Sequence, residues 1–336
     1  MYTTRTHTLV ACLPFLGFLG CGAKLLDSDK ATDTPLEGTT DSGTPDEEDP
    51  QDTSEDTEDP EDSGTPVTND TGSPQPQAID YRERGPHSIT TSSMTLTASC
   101  SSAVQITAPA TDGEWPRVFL AHGFMRGSIQ MVGWAEHLAS WGVEVVRPAL
   151  CHSSITDTDH RENAADLTRW NAALGGGPVI YGGHSAGGLA ALVAASSDPD
   201  SIGMIALDLT DMDGIGTSAA AVIDVPTFGI AGEPSSCNSE GNGISALSRI
   251  AETRLVRLTD ADHCDFEDET DWLCTSFCLN TATSFSDTQI RQSILGLVTS
   301  AVTSLSGQDP IAEAVWWQPG GAFYDPMQAS GALSPL

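Results

Sequence analysis

Short apolar runs alternate with amphipathic or alanine-rich segments through residues 78–336 of this chain. Apolar runs bounded by Gly, Pro and polar residues are typical of buried strands, and apolar residues three or four positions apart are typical of helices. Because strands alternate with helices, we expect an α/β fold with a mostly parallel sheet flanked by helices. The pattern predicts strands over 90–97, 103–107, 118–121, 143–146, 179–181, 202–207, 227–231 and 254–258, and helices over 129–140, 163–174, 189–195 and 289–305.

Residues 27–77 contain almost no large apolar side chains and carry 17 acidic residues against one lysine, Lys30. This segment therefore holds about half of the net charge of −33. A segment so polar and so charged cannot build a core and is expected to stay disordered. The remaining residues 78–336 are long enough for one well-buried α/β domain.

The first residues resemble the signal of a bacterial lipoprotein. Arg5 gives a positive start, a short apolar run follows over 9–20, and Cys21 comes next. The run is too short to span a bilayer. We expect residues 1–20 to be a signal peptide, Cys21 to be lipidated, and residues 21–77 to be an anchored linker. An ordinary cleaved signal remains the alternative, so the protein is expected at the outer membrane or cell surface, or else secreted.

One stretch carries the strongest chemical signal. Residues 183–187 read Gly-His-Ser-Ala-Gly, a match to G-x-S-x-G, between the predicted strand 179–181 and the helix that follows. A strand–turn–helix with this motif is typical of a nucleophile elbow, in which a strained turn exposes the serine hydroxyl. We therefore expect Ser185 to be a catalytic nucleophile.

A serine nucleophile needs a base, an acid behind that base and an oxyanion hole. His263 follows the last predicted strand, which fits the chain order serine, acid, histidine. The backbone N–H groups of Ala186, next to the serine, and of Phe124, after the strand 118–121, are the expected oxyanion donors.

Three carboxylates could serve as the acid. Asp208 directly follows the strand 202–207, Asp211 lies further along the same loop, and Glu233 follows the next strand. We favour Asp208, because it sits where a strand ends, whereas Asp211 lies further out on the loop and Pro234 stiffens the turn after Glu233. A calcium site at Asp208, Asp211 and Asp213 is also conceivable, but the spacing lacks a full calcium loop.

Six cysteines remain beyond Cys21, and in an exported domain they suggest three disulfides. Cys237 and Cys264 follow neighbouring strands at the catalytic edge, so we expect them to pair and to brace the loop of His263. The partners of Cys100, Cys151, Cys274 and Cys278 stay open. A zinc site near Cys274 and Cys278 is the less favoured alternative, since no second closely spaced pair occurs.

These motifs together resemble a branch of the α/β-hydrolase superfamily that contains chlorophyllases, platelet-activating-factor acetylhydrolases, dienelactone-hydrolase-like proteins and cutinase-like polyester hydrolases. The resemblance spans nearly all of the domain and implies carboxylic ester hydrolysis through an acyl-enzyme with a Ser-His-Asp triad and no cofactor or metal. It implies no large lid, because only residues 209–224 separate Asp208 from the next strand. The resemblance to this branch rests on residues 120–124, 134–142, 183–188, 203–208 and 262–266.

The amino-acid composition excludes several classes of ligand and of chemistry. The acidic balance and the absence of lysine after Lys30 argue against nucleic acid, Schiff-base chemistry and a P-loop. We expect a monomer that acts on an ester with an apolar acyl or alcohol part and meets a membrane only through its N-terminal anchor. The alternatives are an inactive surface binding protein with this fold and a serine peptidase of the same fold.

Overall fold

A computed structural model describes residues 77–278 and 283–336. Its strands are β1 Ile89–Thr97, β2 Ser101–Pro109, β3 Arg117–Ala121, β4 Glu144–Pro148, β5 Ser153–Ser154, β6 Asp157–Thr158, β7 Val179–His184, β8 Ser201–Leu207, β9 Thr227–Ala231, β10 Thr253–Leu258 and β11 Leu333–Pro335. Nine of them form a central sheet with the spatial order β1-β2-β4-β3-β7-β8-β9-β10-β11, and β5 and β6 form a separate small hairpin.

The middle of the sheet is parallel. Strands β4, β3, β7, β8, β9 and β10 pair in parallel, whereas β1 and β2 at one edge and β11 at the other pair antiparallel. This arrangement is the α/β-hydrolase fold, as the sequence predicted. In such a sheet the carboxyl ends of the parallel strands share one edge, which is where sites form.

Helices cover both faces of the sheet. They are α1 Val132–Ser140, α2 His160–Ala173, α3 Ala186–Ala195, α4 Ile215–Ala220, α5 Gly243–Leu247, α6 Trp272–Cys278, α7 Asp287–Leu305, α8 Ala312–Trp317 and α9 Tyr324–Ala329.

Alternate residues of the strands point to two separate cores. Val118 and Leu120 of β3 pack with α1, α7 and α8, whereas Phe119 and Ala121 pack with α2, α3, α4 and α5. This alternation follows from the period of two in a strand, and burial on both faces explains why the strands read as continuous apolar runs.

Two predicted helix boundaries differ from the structure for identifiable reasons. Helix α2 begins three residues before the predicted Asn163, because the side chain of Asp159 accepts hydrogen bonds from the backbone N–H groups of Arg161 and Glu162. Helix α3 begins at Ala186 instead of Leu189 and includes two glycines that a propensity argument leaves out. Short elements such as β5, β6, β11, α4 and α6 have no long periodic pattern and were not predicted.

The three disulfides correct one prediction. The bonds join Cys100 to Cys151, Cys237 to Cys278 and Cys264 to Cys274, so the expected Cys237–Cys264 bond is wrong. The physical reason is helix α6, which follows the loop of His263. It carries Cys274 and Cys278 one turn apart, and each reaches one of the two loops.

Several N-terminal predictions lie outside the described residues: the signal peptide 1–20, the lipidated Cys21 and nearly all of the linker 21–77. Within 77–278 and 283–336, none of the helices has both the length and the apolar character needed to cross a membrane. Across the same residues, the connection from β8 to β9 holds only the short helix α4, so this connection carries no large lid.

Candidate active site

Ser185 occupies the sharp turn between strand β7 and helix α3. Its backbone has φ 55° and ψ −122°, a conformation that a residue with a side chain rarely adopts. The Ser185 N–H donates to the carbonyl of Leu207 on β8 at 3.0 Å, and its own carbonyl accepts from Leu189 N–H at 3.1 Å. These bonds hold a strained residue between a strand and a helix, which is the geometry of a nucleophile elbow.

Two glycines make the tight turn possible. A Cβ on Gly187 would lie 2.3 Å from the carbonyl oxygen of His122, and one on Gly183 would lie 2.6 Å from the carbonyl carbon of Gly187. Both distances are far shorter than van der Waals contact. The helix therefore approaches the sheet so closely that only glycine fits at these positions.

His263 lies in the first turn after strand β10, within a 3-10 helix formed by His263–Phe266. Asp262 caps this turn by accepting from the backbone N–H groups of Cys264 and Asp265. The imidazole is buried, and its Nδ1 lies 2.6 Å from Oδ2 of Asp208. Nδ1 can donate to the carboxylate, which leaves Nε2 as the nitrogen able to accept a proton.

Asp208 is 2% exposed and its carboxylate is held by several donors. The N–H of Gly232 donates to Oδ1 at 3.0 Å, and the amide of Asn238 donates to both oxygens, at 3.3 and 3.1 Å. These donors fix the position and the orientation of the carboxylate behind His263. Asn238 is fully buried. Sequence reasoning missed it, because an asparagine in a polar loop gives no signal.

The two other candidate acids lie elsewhere. Asp211 accepts from the N–H groups of Gly216 and Thr217 and from the Thr217 hydroxyl, so its side chain stabilises the start of α4. Glu233 is half-buried, and its backbone N–H donates to the carbonyl of Ala261. Of the three carboxylates, Asp208 is the one within hydrogen-bonding distance of His263.

The loop of residues 122–127 follows strand β3 and is here called the oxyanion loop, because the sequence leads us to expect an oxyanion donor on it. In the described part of the chain, the N–H of Phe124 has no backbone acceptor, and the N–H of Ala186 lies in the first turn of α3, where the helix offers no carbonyl to it. Both can therefore bind a ligand oxygen. A Cβ on Gly123 would lie 3.4 Å from Cβ of Ser185, which shows how closely this loop passes the serine.

His122 fixes the orientation of the peptide group between Gly123 and Phe124. The backbone N–H of Leu150 donates to Nε2 at 3.0 Å, so Nδ1 carries the proton and donates to the carbonyl of Gly123 at 2.9 Å. Burial lowers the pKa of His122 to about 4, so this tautomer persists at neutral pH. In a trans peptide the N–H points away from the C=O, so holding the Gly123 carbonyl also aims the N–H of Phe124.

His184, beside the serine, is a second buried imidazole. Its ring centroid lies 4.4 Å from that of His263, and neither of its nitrogens has a hydrogen-bond partner in the described residues. Burial holds the pKa of His184 well below its usual range. A neutral ring here adds no positive charge next to the imidazolium that His263 would form.

Two other histidines take part in local structure. His137 Nε2 contacts the carbonyl of Tyr81, and His152 lies between Ser99 and Asp157. The Sγ atoms of Cys264, Cys274 and Cys278 lie within 4.8 Å of one another. All three are bonded in disulfides, so none offers the thiolate that zinc requires.

Large apolar side chains are exposed on the oxyanion loop and at the start of α6. Phe124 is 36% and Met125 46% exposed on the oxyanion loop, and Trp272 is 75% exposed on α6. Arg126, next to Met125, contacts Asp271, next to Trp272, at 3.0 Å. The apolar side chains therefore lie on neighbouring segments, and exposed apolar area of this kind favours binding of an apolar ligand.

Comparison with known families agrees with the geometry. Residues 78–195 match the family described as Chlorophyllase, a family of the α/β-hydrolase superfamily. The matched segment runs through β7 and α3 and therefore includes Phe124, Ser185 and Ala186, but not Asp208 or His263. No curated protein matches the chain.

Proposed function

We propose that this chain, a member of the α/β-hydrolase superfamily, is a serine hydrolase that cleaves carboxylic esters. The observation that carries the proposal is the 2.6 Å contact between His263 Nδ1 and Asp208 Oδ2, at the sheet edge where Ser185 occupies its strained turn. Ser185 is assigned as nucleophile, His263 as base and Asp208 as the acid that orients the imidazole.

The reaction follows from these roles. The hydroxyl oxygen of Ser185 attacks the ester carbonyl while Nε2 of His263 takes its proton. The negative charge that forms on the carbonyl oxygen is stabilised by the N–H groups of Phe124 and Ala186. As the intermediate collapses, Nε2 returns the proton to the alcohol that leaves. Water then attacks the acyl-enzyme by the same route and releases the acid.

A fluorophosphonate probe separates this enzyme from an inactive binding protein with the same fold. Only an activated serine reacts, so the wild type should be labelled and Ser185→Ala should not. Ser197→Ala, which removes an exposed hydroxyl at the end of α3, is the matched control and should label normally. Hydrolysis of p-nitrophenyl esters should fall on the order of 10³-fold or more in Ser185→Ala.

The exposed Phe124, Met125 and Trp272 support an ester with an apolar acyl or alcohol part as the substrate. We expect kcat/KM to rise with acyl chain length from acetate to octanoate, since each methylene buried contributes about 0.8 kcal/mol. A series in which acetate is best would contradict this substrate class. Amide substrates tested beside the esters would reveal a peptidase.

The three disulfides support export, because such bonds persist in oxidising compartments. We propose that the chain is held at a membrane through a lipid on Cys21. Labelling of cells with a radioactive fatty acid should mark the wild type and not Cys21→Ala, whereas an unlabelled wild type would indicate a freely secreted protein.

A further inference from the structure

The proposed reaction needs parts from three separate segments. Ser185 and Ala186 lie at the start of α3, Phe124 lies on the oxyanion loop, and His263 lies on residues 261–271, here called the histidine loop. Catalysis is sensitive to displacements of about 1 Å between such parts. Something must therefore fix the oxyanion loop relative to the histidine loop.

A buried ion pair joins these two loops directly. Nε and Nη2 of Arg126 contact the two carboxylate oxygens of Glu267 at 2.6 and 2.5 Å. The side chain of Arg126 is 9% exposed and that of Glu267 is 1% exposed. A two-point contact of this kind fixes orientation as well as distance, because the guanidinium and the carboxylate must be coplanar.

Each residue of the pair also makes a backbone hydrogen bond close to a proposed catalytic group: Arg126 near Phe124 N–H, and Glu267 in the turn of His263. The N–H of Arg126 donates to the carbonyl of Gly123 at 3.2 Å, beside the bond from His122 Nδ1, so Arg126 helps to hold the peptide that aims Phe124 N–H. On the other side, the N–H of Glu267 donates to the carbonyl of Cys264 at 3.0 Å and closes the turn that carries His263.

The pair also lies next to the nucleophile. Glu267 Oε1 is 3.7 Å from Nδ1 of His184, the residue before Ser185 and the ring that packs against His263. Burial raises the pKa of Glu267 above its usual value, and the contact with Arg126 offsets part of this rise. A charged carboxylate is stable here only because the guanidinium faces it, so the two side chains act as a unit.

We infer that Arg126 and Glu267 are positioning residues, which set Phe124 N–H against Ser185 and His263. The inference rests on the proposed esterase function and goes beyond it, since neither residue touches the substrate. Loss of the pair should lower kcat and leave KM for a short ester nearly unchanged, because the oxyanion is stabilised only after attack.

The test compares four variants by kcat, KM, thermal unfolding and the rate of fluorophosphonate labelling. Glu267→Gln keeps the shape and removes the charge. Arg126→Lys keeps the charge and removes the two-point contact. Asp271→Asn is the matched control, because Asp271 contacts the same arginine from a more exposed position. Arg126→Met with Glu267→Met removes the buried charges together, which tends to preserve stability.

We expect kcat and the labelling rate to fall together, about 10- to 100-fold, in Glu267→Gln, Arg126→Lys and the double variant. Asp271→Asn should stay within about 3-fold of the wild type. A double variant that is folded and fully active would overturn the inference, as would Glu267→Gln matching Asp271→Asn. If Glu267→Gln fails to fold, the double variant and Arg126→Lys decide. Wild-type protein that neither hydrolyses esters nor reacts with the probe would instead refute the proposed function.

Discussion

The amide nitrogen of Asn238 lies 3.3 and 3.1 Å from the two carboxylate oxygens of Asp208, so one side chain contacts the whole face of the carboxylate. The carbonyl oxygen of the same amide accepts from the N–H groups of Ser235 and Gly241 at 2.8 and 3.0 Å. Asn238 is thereby fixed by its own loop, and its donor group cannot turn away from Asp208.

Asn238→Asp should lower kcat about 10- to 100-fold, as loss of a supporting partner commonly does. The substitution replaces the donor that holds Asp208 with a second carboxylate, which repels it, so Asp208 is no longer held against His263. The matched control is Asn242→Asp, because Asn242 also holds a loop through its amide but bonds to the backbone of Asp211, accepting from its N–H and donating to its carbonyl. Equal kcat values for the two variants, from esterase kinetics, would contradict the role of Asn238.

Asp208→Asn should lower kcat on the order of 10⁴-fold, because an amide no longer holds His263 in the tautomer that accepts a proton at Nε2. Asp211→Asn should destabilise α4 but retain activity, and Glu233→Gln should stay near the wild type. Ester hydrolysis measured below the unfolding temperature of each variant checks all three. If Glu233→Gln lost its esterase activity while Asp208→Asn kept it, the catalytic acid would be Glu233, on the loop after β9.

Removal of different disulfides should separate stability from activity. The Cys100–Cys151 bond closes a loop of 51 residues and the Cys264–Cys274 bond one of 10, so loss-of-entropy arguments assign them about 4 and about 3 kcal/mol. Cys100→Ser with Cys151→Ser should lower the unfolding temperature more. Cys264→Ser with Cys274→Ser should lower kcat more, since Cys264 follows His263.

Denaturant unfolding and kinetics at a temperature where both double variants are folded would measure the two effects. Activity that falls equally in both would indicate that the bond next to His263 stabilises the domain in general and has no particular effect on the site.

Asp265 should make the domain less stable as pH rises. It lines an acidic cleft of about 260 Å³ with Asp262 and Asp287, and burial, helped by these neighbours, raises its pKa from 3.8 to about 7. Between these values the unfolded chain has released the proton while the folded chain still holds it. The free energy of unfolding therefore falls from about pH 4 to about pH 7 and then levels off.

Asp265→Asn mimics the protonated form and can still accept the hydrogen bond from the Asp262 N–H, which is 2.8 Å long. The variant should therefore unfold at a higher temperature than the wild type, by a margin that grows from pH 4 to pH 7. Calorimetry across this range gives the answer, with Asp325→Asn on α9 as a control. A margin that shrinks as pH rises would contradict the raised pKa.

Long apolar patterns made the fold predictable. Strand β9 matches its prediction residue for residue, and the G-x-S-x-G motif indicated the turn at Ser185, because both features are local in sequence. The proximity of Asp208 to His263 could be expected only from the rule that parallel strands end at one edge. Whether Asp208 or Glu233 reaches the imidazole depends on side-chain direction, which a pattern of strands does not specify.

Residues that act through a single long-range contact gave no signal. Asn238, Arg126 and Glu267 look like ordinary loop residues in the sequence, and their burial becomes visible only when loops far apart in the chain meet. The predicted Cys237–Cys264 disulfide was wrong for the same reason. The short helix α6, which carries Cys274 and Cys278, has no periodic pattern that would have predicted it.

The close contacts of Gly183 and Gly187 mean that these two positions tolerate no substitution, whereas other positions at the same edge of the sheet can vary. Next to Ser185 the backbone of α3 contacts the backbone of the neighbouring strands directly, so a side chain at Gly183 or Gly187 would displace the helix from the sheet. The oxyanion loop and α6 carry exposed side chains with open space around them. New substrate preferences can therefore arise from Met125 or Trp272, without change at the residues that hold the nucleophile in place.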